Sequence, residues 1–193
     1  VAKLAVLASG SGSNFEALAV ALAPTRHKLV LLCCDKPGAF ALERASRLGV
    51  PSLVVEYRKG ARNEAERAIE AALLGAGADV IALAGFMRLL SPRFVRAFAG
   101  RLVNVHPSPL PAYPGVDSVA RMIAAGERTF GVTVHLVDEG MDTGPILAQE
   151  RFDSLPGEFP EAIERRVHRI EHEIFPREAL RLLDAADGTA RRV

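Results

Sequence analysis

The sequence predicts an α/β fold: a doubly wound, mostly parallel sheet, continued by an antiparallel strand portion toward the C-terminus and closed by a long terminal helix. Two features predict it. Short β-branched runs alternate with longer helical patterns through the first half of the chain, the βαβ rhythm of a wound sheet. Strands such as LVLLCC and VIALAG are almost continuously apolar, as expected of strands buried on both faces.

Taken in order, Lys3–Ala8 reads as a strand, Asn14–Ala23 as a helix, Lys28–Cys34 as a strand and Ala39–Leu48 as a helix. Pro51–Val55 (strand), Asn63–Ala76 (helix), Asp79–Ala84 (strand) and Arg101–Val105 (strand) continue the pattern. After His106 the rhythm changes. The proline-rich HPSPLPAYPG leads to a helix near Asp117–Ala125 and to strands around Gly131–Val137 and Ile146–Phe152. An amphipathic helix follows from about Phe159 to Ala186, with Ile163, Val167, Ile170, Ile174 and Leu180 on its apolar stripe. Pro176 within it is expected to kink or break it. No repeat, low-complexity tract or long linker divides the 193 residues, so one domain is expected.

Composition narrows the function. With 49% hydrophobic and 24% charged residues the chain is ordinary for a globular domain, which excludes disordered and collagen-like classes. The 24 basic and 23 acidic residues give a net charge of +1, so no nucleic-acid or membrane partner held by bulk charge is expected. Cys33 and Cys34 are adjacent, and neighbouring Cα atoms sit ~3.8 Å apart, short of the ~4.4–6.8 Å of a normal disulfide. They read as buried thiols in a reducing compartment. The apolar run Leu4–Ala8 is shorter than the ~7–15 residues of a signal core or the ~20 of a spanning helix, so a cytoplasmic location is expected.

Four motifs carry chemical content. In Ser9-Gly10-Ser11-Gly12-Ser13-Asn14, glycines precede a helix whose exposed N–H groups suit an anion, and Ser13 with Glu16 has the spacing of a capping box. A turn that merely closes a βα junction fits these residues as well. No GK[ST] follows, so this is not a P-loop. The third glycine of a dinucleotide fingerprint falls at Phe15, against a dinucleotide, although Asp35 is placed to bind a ribose.

Asn104 and His106, two apart at the end of a strand, point to one side. They pair an amide able to donate to an oxyanion with an imidazole able to move a proton. Val134-His135-Leu136-Val137-Asp138-Glu139-Gly140-Met141-Asp142-Thr143-Gly144 runs from a strand into a tight acidic loop, where a carboxylate can orient His106. That loop lacks calcium spacing. A metal site from His106, His135 and Asp142 has no supporting local spacing, and no metal is expected. Finally, His168-Arg169-Ile170-Glu171-His172 fits the H-x-x-E-H pattern of zinc peptidases. A short pattern of this kind arises by chance, and Glu171 reads better as a residue of another site.

Together these stretches resemble the phosphoribosylglycinamide formyltransferase family, folate-dependent enzymes of purine synthesis. The resemblance runs from SGSGSN to HRIEHEIFP. It is strongest in Ala84-Gly85-Phe86-Met87-Arg88-Leu89-Leu90-Ser91-Pro92, in NVHPSPLPAYPG, in Val132-Thr133-Val134-His135 and in Asp138…Asp142-Thr143-Gly144-Pro145. It implies a Rossmann-like formyltransferase fold, with residues 1–100 as the nucleotide- or phosphate-binding half and 101–193 as the folate-binding and catalytic half. Methionyl-tRNA formyltransferase looks similar but carries a further C-terminal domain, and formyltetrahydrofolate deformylase an N-terminal one. The short length of this chain speaks against the former and its start at the first strand against the latter, with the deformylase and a non-catalytic nucleotide-binding domain kept as the alternative readings.

The resemblance implies 10-formyltetrahydrofolate as cosubstrate and glycinamide ribonucleotide as acceptor, with the enzyme a monomer or homodimer. By the same resemblance Asn104, His106 and Asp142 are catalytic, and Gly12, Ser13, Asn14 and Glu171 hold the ribotide. Met87, Arg88, Leu89 and Leu90, with Val137, Asp138, Glu139, Gly140, Met141 and Asp142, line the folate pocket beside Asn104. Leu83, Val95 and Leu102 join Val137 in its apolar walls. Arg62, or else Arg67, is assigned the folate's glutamate carboxylate. Four positions depart from the family pattern. Pro109 stands where a leucine is common, Asp117 and Val119 where histidines are frequent, and Phe130 where a histidine often precedes Gly131.

Overall fold

The structure, a computed structural model, describes residues 1–188. The last five residues of the expected domain therefore lie outside it. The chain runs β1 (Lys3–Ala8), α1 (Ser13–Leu22), β2 (Lys28–Cys34), α2 (Phe40–Arg47), β3 (Ser52–Val54), α3 (Arg62–Ala76) and β4 (Val80–Leu83). It continues with α4 (Pro92–Ala97), β5 (Leu102–His106), α5 (Ser118–Ala124), β6 (Thr129–Leu136), β7 (Ile146–Asp153) and α6 (Pro160–Ala186). One sheet of seven strands carries the order β3-β2-β1-β4-β5-β6-β7. The pairings are parallel from β3 to β5, then antiparallel from β5 to β6 and from β6 to β7. The expected α/β architecture is what forms.

The alternation of each strand decides which core it feeds. Val6, Ala82, Val103, Val105, Val132 and Val134 join α1, α2 and α6 in one apolar cluster. Ala5, Leu7, Ile81, Leu83 and Leu102 join α3 and α4 in a second cluster on the opposite face. On β5 this leaves Asn104 and His106 in line with Leu102, on the face of the second cluster and beyond its last strand residue. Cys33 and Cys34 are buried free thiols, and Phe15 is fully buried.

Two local expectations need correction, and one helix is added to those expected. Ser13 does not cap α1. The cap is Gly12, in the left-handed region at φ 74°, with no side-chain capping bond, and Glu16 is drawn away by Arg44. Gly12 is required there because a Cβ would meet Cα and Cβ of Ala41 at 2.7 Å. The C-terminal helix is not broken at Pro176, since α6 continues through it and keeps Phe175, Pro176 and Ala179 buried. The short helix α4 was not expected, although Ser91 accepts from the Phe94 N–H and Pro92 occupies the first turn, a clear start signal.

The sheet order reverses between β1 and β4, and the crevice outside their carboxyl ends is where such sheets place ligands. Here the loops after β1 and β4 are tied together. Ser9 N–H donates to the Gly85 carbonyl at 3.1 Å, and Met87 N–H donates to Ser9 Oγ at 2.8 Å.

Candidate active site

The site is assembled at the carboxyl end of β5 by cross-strand register. Asn104 pairs with His135 of β6, and His106 with Thr133, so all four side chains share one face of the sheet. Asp142 arrives from the loop after β6 with φ 55°, a left-handed conformation costing an aspartate about 1 kcal/mol. Its carboxylate repays that strain with contacts. Oδ2 accepts from the Gly115 N–H at 2.7 Å and faces His106 Nδ1 at 3.4 Å. Oδ1 lies 3.5 Å from Asn104 Nδ2 and 3.6 Å from His135 Nε2. The loop is pressed so tightly that a Cβ on Gly144 would collide with the Leu136 carbonyl.

Charge follows from this geometry. Burial pushes the Asp142 carboxyl up, but the His135 contact, the Gly115 N–H and the His106 ring outweigh it and hold the pKa down at about 2. His106 Nε2 faces the Tyr113 carbonyl at 2.9 Å while Nδ1 faces Asp142. Both ring nitrogens thus meet acceptors, an arrangement suited to a ring with a proton on each. His135 points Nδ1 at the Leu136 carbonyl at 2.8 Å and Nε2 at Asn104 Nδ2 at 3.2 Å. It was not assigned a role from sequence. The signal was the pairing of two polar residues, Asn104 and His135, on otherwise apolar strands, which needs the hairpin register to be seen.

β6 runs antiparallel to β5 and ends with Leu136 opposite Val103, and the loop beyond it returns toward His106 and Gly115 to bring Asp142 to the trio. Met87 and Leu89 are exposed at 63% and 59%, and Met141 at 53%. Behind them Leu83, Leu90, Val95 and Leu102 are buried in one cluster, with Val137 packed against it. The Arg88 guanidinium turns away to the buried Asp35 and over the Tyr57 ring, so Arg88 offers this cleft its backbone. Asp35 is therefore engaged by an arginine. Glu66, fully buried in α3, accepts from the Ser91 N–H at 2.8 Å and from Arg62 Nε at 3.0 Å. Arg62 Nη2 also reaches the Leu89 carbonyl at 2.6 Å, and Arg67 is exposed on the same helix. Asp138 Oδ1 closes its own turn with Gly140 N–H and Thr143 Oγ1, while Glu139 pairs with Arg96 at the surface.

On the other side of the crevice lies the Gly12–Asn14 segment. Asn14 Nδ2 donates to Glu171 Oε2 at 3.1 Å, and His168 Nδ1 meets the same oxygen at 2.9 Å. Glu171 is buried on the stripe of α6 where an apolar residue is expected between Val167 and Ile174. The His168 and His172 rings stack at 6.3 Å. Among the described residues no group of three or more His, Cys, Asp or Glu is arranged to hold a metal ion. No helix among them is long and apolar enough to cross a membrane.

The profile of the Formyl transferase family matches residues 2–179. The chain belongs to the formyl transferase family. Phosphoribosylglycinamide formyltransferase of Bacillus subtilis (strain 168) is 44% identical to this formyl transferase over 177 residues, covering 90% of this chain and 91% of that protein. The trifunctional purine biosynthetic protein adenosine-3 of Drosophila melanogaster is 45% identical over 97% of this chain, which spans 14% of that protein's length. Glycinamide ribonucleotide transformylase 1 from Geobacillus kaustophilus has the same fold, with a TM-score of 0.88 and 46% identity over 94% of this chain and 98% of that one. This formyl transferase is thus an enzyme of one-carbon transfer whose relatives serve purine biosynthesis.

Proposed function

We propose that this formyl transferase moves the formyl group of 10-formyltetrahydrofolate to the amine of 5′-phosphoribosylglycinamide, by direct attack through a tetrahedral oxyanion. The observation that carries the reading is the meeting of Asn104, His106 and the ionised Asp142 on one face at the end of β5. The names of the relatives supply the acceptor. For the donor, a flat heterocycle with polar edges suits the cleft. The buried wall of Leu83, Leu90, Val95 and Leu102 offers apolar contact, and the backbone of Met87 to Leu90 and Asp138 to Asp142 offers hydrogen bonds.

On this reading Gly12, Ser13 and Asn14 hold the ribotide phosphate at the start of α1, and Glu171 orients the sugar or glycinamide end. The amine attacks the formyl carbon and the carbonyl electrons move to oxygen, where the Asn104 Nδ2–H donates. The His106 imidazolium stabilises the same oxyanion once its Nε2–H leaves the Tyr113 carbonyl. Asp142 holds His106, through a direct or water-mediated contact, and assists removal of the amine's proton. The adduct collapses as the bond to the folate nitrogen breaks, and His106 helps to protonate that nitrogen. Arg62 meets the folate glutamate, with Arg67 as the other choice. The two halves of the chain divide the work, phosphate before residue 100 and transfer chemistry after it. We place the enzyme in the cytoplasm, as a monomer or homodimer acting on small molecules.

The test is to mix both substrates, follow folate absorbance and omit each in turn. Turnover that requires both is expected. Folate release without the ribotide makes the protein a deformylase, and silence in every mixture leaves a nucleotide-binding domain.

A further inference from the structure

The Gly10–Asn14 segment is held from behind by α2, through contacts that the transfer chemistry does not use. Ala41 N–H donates to the Gly10 carbonyl at 3.1 Å, and Arg44 Nε donates to the Ser11 carbonyl at 2.9 Å. Arg44 Nη1 also pairs with Glu16, the acidic residue in the first turn of α1. The guanidinium is fixed further by the Phe40 ring, 5.0 Å from its centre, and its side chain is only 19% exposed. Arg44, Glu16, Ser13 and His172 line one cavity of about 570 Å³ along α1.

Charge at this point matters for an anion. Glu16 complements the positive end of the α1 dipole, but a carboxylate one turn from the cradle repels a phosphate dianion. Arg44 cancels that charge. His172, on the same cavity, does not supply a cation, because burial pushes its pKa down and the charges of His168 and Arg44 add to the effect against Glu171 and Glu16. Arg44 also uses Nε to hold the Ser11 carbonyl on the α2 side, so that carbonyl, an acceptor that would repel phosphate, is kept occupied.

We propose that Arg44 is a positioning residue for the ribotide phosphate, fixing the loop backbone through Ser11 and neutralising Glu16. The inference rests on the reading of Gly12–Asn14 as a phosphate cradle, and its test separates the two. Calorimetric titration with glycinamide ribonucleotide, and with the riboside lacking the phosphate, is compared between wild type and variants, together with steady-state kinetics.

Arg44→Ala is expected to weaken the ribotide, in Kd and KM, by about 10- to 100-fold, with kcat and the KM for formyl folate within about threefold. The riboside is expected to bind wild type and variant alike. Adding Glu16→Gln to Arg44→Ala removes the stranded charge and recovers part of the lost affinity. Should the alanine variant not fold, Arg44→Gln, which keeps a donor for Ser11 without the charge, is expected to show a smaller loss confined to the ribotide. Ribotide affinity at the wild-type level in the folded variant, or equal loss for ribotide and riboside, overturns the role of Arg44. Failure of wild-type protein to bind or formylate the ribotide overturns the functional reading instead, before any variant is made.

Discussion

Asn14 and Glu171 stand 157 residues apart and meet in a 3.1 Å hydrogen bond that joins the start of α1 to the buried face of α6. The contact closes the two ends of the chain onto one site. The Asn14 Oδ1 is buried without a protein partner, so this side chain is held by its donor alone.

Removing Glu171 should therefore loosen the ribotide end and spare the folate end. Glu171→Ala is expected to raise the ribotide KM about tenfold or more, with the folate KM unmoved. The hydrogen bond that His168 makes to the Glu171 carboxylate is also the main cause that raises the His168 pKa. Its ring titration, followed by NMR, is expected to move down in the variant. An unchanged ribotide KM counts against Glu171 as a ribotide ligand.

The trio makes a prediction about rate rather than affinity. His106→Ala and Asp142→Asn should each lower kcat by at least about 100-fold. Both variants are expected to fold but to melt some degrees lower, His106→Ala because it empties a buried position and Asp142→Asn because it gives up the ionised carboxylate, so turnover is compared well below those temperatures. Near-wild-type turnover in both variants removes the assigned roles.

Asp142 also links the site to acid stability. Its pKa is about 2 in the folded protein against 3.8 ordinarily, so the folded state favours the ionised form. The stabilisation is complete above the ordinary value and is lost as pH falls from about 4 toward 2, with a size of order 2 kcal/mol. Denaturant unfolding from pH 5 to pH 2 should show a steeper loss in wild type than in Asp142→Asn. Parallel curves for the two proteins argue against an ionised, stabilising Asp142.

Periodicity reveals most of this architecture, because near-continuous apolar runs such as Leu29–Cys34, alternating with helical patterns, fit strands buried on both faces of a parallel sheet. The same periodicity places Asn104 beside His106, two polar residues on one face of an apolar strand. What it hides is anything set by tertiary geometry. Glu16 has the spacing of a capping box with Ser13, but Arg44, 28 positions on, competes for its carboxylate and wins by charge. His135 shares the site only because the β5–β6 register sets it opposite Asn104. Glu66 shows itself in retrospect as an acid beside Ala65 on the buried face of α3, yet its task depends on Ser91, 25 residues away.

Gly12 offers the sharpest test of the proposed phosphate cradle as a backbone device. It combines φ 74° with an approach to Ala41 that leaves no room for a methyl group, since the atoms met at 2.7 Å are the Cα and Cβ of a helix. Backbone of this kind cannot swing aside as a long side chain does, so either the loop or α2 must move. Gly12→Ala is expected to destabilise the protein by about 1–3 kcal/mol, from left-handed strain and overpacking together. Displacing the loop also turns the N–H groups of residues 12–14 away from a bound phosphate. The ribotide KM should therefore rise even at temperatures where the variant is fully folded, while the folate KM stays put. Measuring both KM values well below the variant's melting temperature separates the two effects. A destabilised variant with unaltered ribotide KM would show that the glycine serves packing alone.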